Sequence, residues 1–343
     1  MTEIVEQLAD LTALRDRDAL DVALCSAIAD LLSPQTVAIY RVVGDPGNER
    51  CFTSARSDAH QSQPSSDSAW SPLDALPRWA DHPLRQQAIT SRKITQASHF
   101  PGLTVFPLAG NTGAMGVLEL TTEEALPAAT LTLVSGVLRL YFNFQSLLDY
   151  GERDALTELL NRKSFDGAFL KATVEQAMTH GDEQEGRRDA VSSGTYWLAM
   201  IDIDHFKRVN DNFGHLIGDE VLLLLARLMR ASFRFHDQLY RFGGEEFVVL
   251  MRCNGESQAA SALERLRTNT ENHLFPQVGH ITISTGFSEI KTGDSPSGAF
   301  ERADKAVYYA KEHGRNQVCS YGALVASGEL AGQAVNVGDM ELF

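Results

Sequence analysis

Arg241-Phe242-Gly243-Gly244-Glu245-Glu246-Phe247 is the stretch on which the reading of this chain turns. Tyr240 precedes it, and Val248, Val249 and Leu250 follow. The pattern predicts two strands joined by a two-glycine turn, because Gly supplies the positive φ angles of a tight hairpin. Two carboxylates follow at once, and strand alternation predicts opposite faces for Glu245 and Glu246. Glycines let a phosphate approach the backbone, and an adjacent acid can hold a metal, so the heptamer points toward nucleotide chemistry. Such a hairpin also serves merely to reverse a chain, so the flanking sequence has to discriminate.

Upstream, Tyr196-Trp-Leu-Ala-Met-Ile-Asp-Ile203 is an apolar run of β type that ends in acids. Alternation predicts that Asp202 and Asp204 share a face. A carboxylate at the exit of a buried strand, facing another on a hairpin, builds an oxygen-ligand site for Mg²⁺, and Asp202 with Glu245 is the predicted pair. Asn210-Asp211, Gly214-His215 and Gly218-Asp219 come next, the last expected to open the apolar helix Glu220–Arg230. Asp219 suits the helix dipole as an N-cap. It equally suits a purine: a carboxylate accepts the N1–H and exocyclic amine of guanine, and an Asn amide serves the other edge atoms.

The chain of 343 residues is long enough for about two domains, and 43 % apolar with 22 % charged residues is ordinary for a globular protein. A net charge of −15 argues against a general nucleic-acid binder, which needs basic surface. Cys25, Cys51, Cys253 and Cys319 lie far apart with no zinc-site spacing, which predicts reduced thiols and a cytoplasmic location. The acidic start Met1–Glu6 does not read as a signal peptide, and no run of about 18 apolar residues predicts a membrane span.

In the first half, Leu8, Leu11 and Leu14, then Leu24, Ile28, Leu31 and Leu32, recur at helical spacing, and Pro34 ends the helix. Residues 35–43 read as a strand, Ser54 to Ser71 as a polar loop, and 103–108 with 114–120 as strands around Gly110-Asn111-Thr112-Gly113. This order, and Val105–Leu118 above all, resembles a GAF domain; a PAS domain is a similar small sensory sheet, and a packing or dimerising module without ligand fits the same pattern. After Pro127 a long helix carries two stripes: Leu131, Val134, Leu138, Tyr141, Gln145 and Leu148, and Leu133, Val137, Leu140, Phe144 and Leu147. Two apolar faces predict burial against its own domain and against a second subunit. Residues 181–194 read as a mobile insertion, and the tail from Ala323 as loosely ordered.

Residues 151 to about 322 resemble the GGDEF family of diguanylate cyclases, in a Gly-Gly-Glu-Glu-Phe form. The likeness rests on Asp154-Ala-Leu156-Thr157-Glu-Leu159-Leu-Asn161-Arg162, Asp202-x-Asp204-x-Phe206-Lys207, the Asn210 to Asp219 pairs, Arg241–Phe247, and Ala303–Lys311 with Gly314-Arg315-Asn316. Glu158 departs from it, standing where the family usually has Gly, with little effect expected on chemistry. The resemblance implies an α+β chain: a GAF-like sensory or dimerisation domain over 1–127, a connecting helix over 128–153, a palm-like domain with a mainly antiparallel sheet over 154–322, and a tail over 323–343. It implies condensation of two GTP into cyclic di-GMP and two pyrophosphates across a homodimer, with two Mg²⁺ (or Mn²⁺) per GTP half-site. Asp202, Glu245, Glu246 and the carbonyl of Ile203 resemble the metal ligands. Glu245 resembles the proton acceptor and Lys207 the stabiliser of transition-state charge. Asn210, Asp219 and His215 resemble the guanine pocket, Gly243 and Gly244 the backbone against the phosphates, and Lys311 and Arg315 the triphosphate cations, expected to share one helical turn.

Arg234-Phe-His-Asp237 has the family's spacing for a product-inhibition site, with Arg265 as a further contributor and a surface salt bridge as the plain reading. A non-catalytic cyclic di-GMP receptor is the alternative, and a cyclase or polymerase-like enzyme of other base specificity a third. The first of these usually shows a damaged Gly-Gly turn or a lost acid, and neither occurs here. The signal is not legible: a small-molecule ligand of the first domain is expected only in general terms.

Overall fold

Short apolar strands between helices of 6 to 25 residues build two mixed α/β units in the computed structural model, Met1–Gly151 and Glu152–Phe343. The structure describes residues 17–44, 47–59, 64–67, 71–97, 102–109, 115–182 and 194–331. Leu8, Leu11 and Leu14, the turn at 110–113, most of the predicted insertion and the end of the tail lie outside these residues. Among the described residues no helix is long and apolar enough to cross a membrane, and all four cysteines are buried free thiols.

The first unit contains helix α1 (Arg17–Leu32), strands β1 (Thr36–Val43) and β2 (Arg50–Asp58), helix α2 (Pro83–Ser91), strands β3 (Thr95–Ala97), β4 (Gly102–Ala109) and β5 (Met115–Thr122), and helix α3 (Ala128–Glu152). The sheet order is β2-β1-β5-β4-β3, antiparallel throughout. Alternation sends Val37, Ile39, Phe106, Leu118 and Leu120 to one face, where Leu20, Leu24 and Ile28 of α1 and Val134, Leu138 and Tyr141 of α3 complete a core. Residues 54–58, read as loop in the sequence, belong to β2: Cys51 and Ala55 are buried and reward the extended backbone.

The stripes of α3 divide differently from the sequence reading. Val137 and Phe144, assigned to the second stripe, pack into the unit's own core. Leu133, Leu140 and Leu147 point outward, 43, 52 and 67 % exposed. A helix lying on a sheet buries more than one heptad row, so a narrower outer stripe remains.

The second unit runs β6 (Leu160–Asn161), α4 (Arg162–Asp182), β7 (Thr195–Ile203), α5 (Phe206–Phe213), α6 (His215–Ser232), β8 (Gln238–Gly243), β9 (Glu246–Cys253), α7 (Glu256–Asn272), β10 (Ile283–Glu289), α8 (Pro296–Glu312), β11 (Val318–Ser320) and α9 (Tyr321–Ala326). The strand order is β11-β10-β7-β9-β8-β6; the β10–β11 and β6–β8 pairs are parallel and the central pairs antiparallel. β7 is therefore central, and its run Tyr196–Ala199 is buried. Short α9, capped by the Ser320 hydroxyl, extends to Ala326, into the stretch expected to be a loose tail.

One close approach fixes the helix that flanks the site. α8 presents Ala299, Ala303, Ala306 and Ala310 to the sheet. A Cβ on Gly286 of β10 would stand 2.2 Å from Val307 N and 2.3 Å from Ala303 O, so only Gly lets α8 settle this deeply.

Candidate active site

The hairpin differs in detail from the predicted two-glycine turn. Gly243 is the last residue of β8 and pairs with Glu246, so the two-residue loop is Gly244-Glu245. Gly243 has φ 149° and Gly244 φ 51°, and a bulge falls between Arg241 and Gly243. Glu245 thus sits in the turn itself, half-buried, and strand alternation does not orient it. Glu246 opens β9 and is exposed.

Arg241 braces this turn. Its Nε and Nη2 donate to the Gly244 carbonyl at 3.1 and 3.0 Å, and its Nη1 to Asp154 Oδ1 at 3.0 Å. Asp154 also accepts from the Thr157 backbone and hydroxyl. Burial works against its charge, but the Thr157 and Arg241 bonds win and hold its carboxyl below the usual range. The motif at 154–157 therefore supports the hairpin, a role the sequence reading did not assign; the opposite charges of Asp154 and Arg241 were its only signal. Glu158 completes that loop at φ 58°, a left-handed angle natural to Gly.

Register sets Asp202 beside the turn: it pairs with Glu246 across β9 and with Ser284 across β10. Asp202 is buried, 9 % exposed. Its Oδ2 lies 2.8 Å from Nζ of Lys311, from the last turn of α8. Its Oδ1 is buried with no hydrogen-bond partner. Burial pushes the Asp202 pKa up although Lys311 opposes it, and Glu245 is raised by burial and then by the charge of Asp202. Two carboxylates in one partly dry corner, one with a bare oxygen, are short of positive charge. An unsatisfied buried acceptor costs about 1–3 kcal/mol, which a cation would recover.

The donor set fits a hard divalent cation: Asp202, Glu245 and the carbonyl of Ile203, the last residue of β7, with exposed Glu246 nearby on β9. Among the described residues no group of three His, Cys, Asp or Glu side chains converges as a metal cage. A site of this kind would complete its shell with carbonyl, water and substrate oxygens, as Mg²⁺ commonly does.

The other predicted residues fall around α5, α6 and the end of α8. Helix α6 begins at His215, not at Gly218-Asp219, so Asp219 lies in its second turn, exposed, and is not an N-cap; Gly214, at φ 83°, takes the cap position. A Cβ on Gly218 would stand 2.0 Å from Asn210 Oδ1, so the bare Cα of Gly218 holds the Asn210 amide against α6, one residue from Asp219. His215 is exposed three residues before Gly218, on the same helical face, and Lys207 is exposed one turn before Asn210. Arg315 does not share a helical turn with Lys311: α8 ends at Glu312, and Arg315 lies beyond at φ 62°, its N–H bonded to Ala310 O.

A second cluster forms where α6 ends. Arg234 and Asp237 make a turn in which the Arg234 N–H donates to Asp237 Oδ2 at 2.9 Å. The plain reading of a side-chain salt bridge is thereby replaced by a turn that leaves the Arg234 side chain exposed. Arg265 of α7 caps the Ser232 carbonyl through Nε at 3.0 Å. Burial pushes the Asp237 carboxyl up to about 6, against the Arg234 backbone bond and the charges of Arg234 and Arg265. Burial and the two nearby guanidinium charges of Arg234 and Arg252 lower His236 to about 4. The three residues read as one site are brought together.

A central, mainly antiparallel sheet thus delivers a braced glycine turn and two acids to one corner. Residues 152–317 match the family described as the diguanylate cyclase, GGDEF domain. The chain is 39 % identical over 178 residues to the diguanylate cyclase DgcP of Pseudomonas aeruginosa, covering 51 % of this chain and 25 % of that protein. It is 38 % identical over 182 residues to the response regulator PleD of Caulobacter vibrioides, covering 51 % of this chain and 37 % of that one. A solved structure, the GGDEF domain of DgcB from Caulobacter crescentus in complex with c-di-GMP, is 35 % identical, covers 50 % of this chain and 96 % of its own, and overlaps with a TM-score of 0.43. Residues 152–317 belong to the GGDEF domain family. The chain spans 25 and 37 % of the length of the two curated relatives named.

Proposed function

We propose that this chain condenses two molecules of GTP into cyclic di-GMP, releasing two pyrophosphates. The observation that carries the proposal is the bare Oδ1 of Asp202, held beside Lys311 and next to the Gly244-Glu245 turn. Bound Mg²⁺ or Mn²⁺, two per half-site, would lower the pKa of the attacking 3′-hydroxyl and offset charge on the leaving pyrophosphate. Asp202, Glu245 and the Ile203 carbonyl would hold it, with Glu246 toward the second ion.

In this reading Asn210 and Asp219 accept and donate along the edges of guanine, with His215 alongside. Gly243 and Gly244 leave the turn without side chains where phosphate approaches. Lys311 exchanges part of its contact with Asp202 for the triphosphate, Arg315 joins it from the following turn, and Lys207 offsets charge in the transition state. Glu245, raised by burial and by Asp202, receives the proton of the attacking hydroxyl. Each subunit supplies one GTP, so a second copy is required, and the outward stripe Leu133, Leu140 and Leu147 offers an apolar surface for it. Arg234, Asp237 and Arg265 bind the product and restrain turnover. The first unit, GAF-like in its order of elements, regulates the second.

The test is direct. Purified protein incubated with GTP and Mg²⁺ is expected to release pyrophosphate and form cyclic di-GMP, resolved by chromatography at early times before product accumulates. Binding of cyclic di-GMP without turnover would instead support the receptor reading.

A further inference from the structure

We propose that Asp204 is a positioning residue that sets the Arg315 turn against the metal-bearing strand, and so fixes where the triphosphate is gripped. The inference rests on the nucleotide site described above. Alternation gives Asp202 and Asp204 the same face, yet the two do different things. Asp204 lies one residue past β7, 6 % exposed, and its N–H donates to Thr282 O at 2.9 Å. Its carboxylate accepts from the Ser284 hydroxyl on Oδ1 at 2.7 Å, and on Oδ2 from the Thr282 hydroxyl at 2.7 Å and the Asn316 N–H at 3.0 Å. Both oxygens are engaged, so Asp204 is not the acid awaiting a cation; Asp202 is.

The Asn316 bond is the informative one. Gly314, Arg315 and Asn316 have φ 112°, 62° and 46°, three left-handed residues in succession, two of them with side chains. Such a turn persists only where surrounding contacts over-determine it. From the surface, Glu271 and Arg267 of α7 hold the Asn316 side chain at 2.8 Å each. From inside, Asp204 holds the Asn316 backbone. Arg315 is exposed, so its direction follows from that backbone. One carboxylate thus ties the end of β7, the start of β10 and the turn after α8, the three segments that place Asp202 and Arg315.

Binding of α,β-methylene GTP with Mg²⁺, measured by calorimetry on the full chain, separates positioning from charge. Asp204→Ala is expected to weaken binding roughly tenfold. Asp204→Asn should retain most of the affinity, because its carbonyl can accept from Thr282 and Asn316 while the Ser284 hydroxyl turns to accept from the amide. In an Arg315→Ala background most of the Asp204→Ala loss should vanish, since Asp204 acts on the triphosphate mainly through the Arg315 turn. Equal losses for Asn and Ala, or losses that multiply with Arg315→Ala, overturn the proposal. Where Asp204→Ala fails to fold, Thr282→Val removes one strut and is expected to give a smaller loss with the same dependence on Arg315. Wild-type protein that binds the analogue but forms no cyclic di-GMP defeats the cyclase reading and leaves this one standing; wild-type protein that does not bind it defeats both.

Discussion

Asp21 in the first unit and Asp202 in the second are both buried acids beside a cation, and they differ in what their oxygens meet. Asp21, 4 % exposed, accepts from Arg41 Nη2 at 2.9 and 3.0 Å, from the Ser54 hydroxyl, and from the Tyr141 hydroxyl of α3. Asp202 has Lys311 on one oxygen and nothing on the other. The first is complete and holds α1, β1, β2 and α3 together. The second is incomplete, and incompleteness in a buried acid marks a place where something is meant to bind. Burial alone would have ranked them the other way.

Replacements at the two acids should part sharply. Glu245→Gln is expected to lower turnover by about 10⁴-fold, the upper range for removing a general base, with no loss of thermal stability. Comparable turnover would remove Glu245 from the chemistry. Asp21→Ala should do the opposite. It leaves half-buried Arg41 without its acid and costs the first unit about 3 kcal/mol, the lower end for breaking a buried pair, read as a lowered unfolding midpoint; an unchanged midpoint would erase the contrast.

The third acid, Asp237, sharpens the comparison because its buried carboxylate has only His236 Nε2, at 3.8 Å, as a side-chain ion-pair partner among the described residues, and burial keeps that imidazole largely neutral. Guanine can donate both its N1–H and its amine only to the ionised form, so affinity for cyclic di-GMP should fall as pH drops below about 6, by up to roughly tenfold per unit. Asp237→Asn should flatten that profile, and Arg234→Ala should relieve product inhibition at every pH. The linkage for stability has the other sign. A carboxyl raised on folding favours the folded state most below its ordinary range, and that contribution is lost as pH rises toward 6. The smallest effect concerns backbone alone: Glu158→Gly should stabilise the second unit by about 1 kcal/mol, since φ 58° suits Gly, with turnover unchanged.

Much of the second unit was legible because its chemistry is local. The apolar run before Asp202 and the glycines at 243 and 244 each announce a strand end or a turn. What the sequence hid was three-dimensional. Glu245 belongs to the turn because a bulge at Phe242 shifts the register, and no alternation rule carries a bulge. Asp219 looked like a cap because Gly214, the residue that takes the cap position of α6, has no side chain to declare it. Arg315 looked helical because spacing says nothing about the left-handed run that follows Glu312. In the first unit the strands could be read, but the partners of Asp21 lie 20 to 120 residues away, beyond any local pattern.

Mn²⁺ binding followed by electron paramagnetic resonance, with α,β-methylene GTP present, tests the bare oxygen of Asp202 most directly. Wild-type protein is expected to bind the ion in the nucleotide's presence, Asp21→Asn to bind it equally, and Asp202→Asn to lose most of it. Equal Mn²⁺ affinity in wild-type and Asp202→Asn protein would contradict the account.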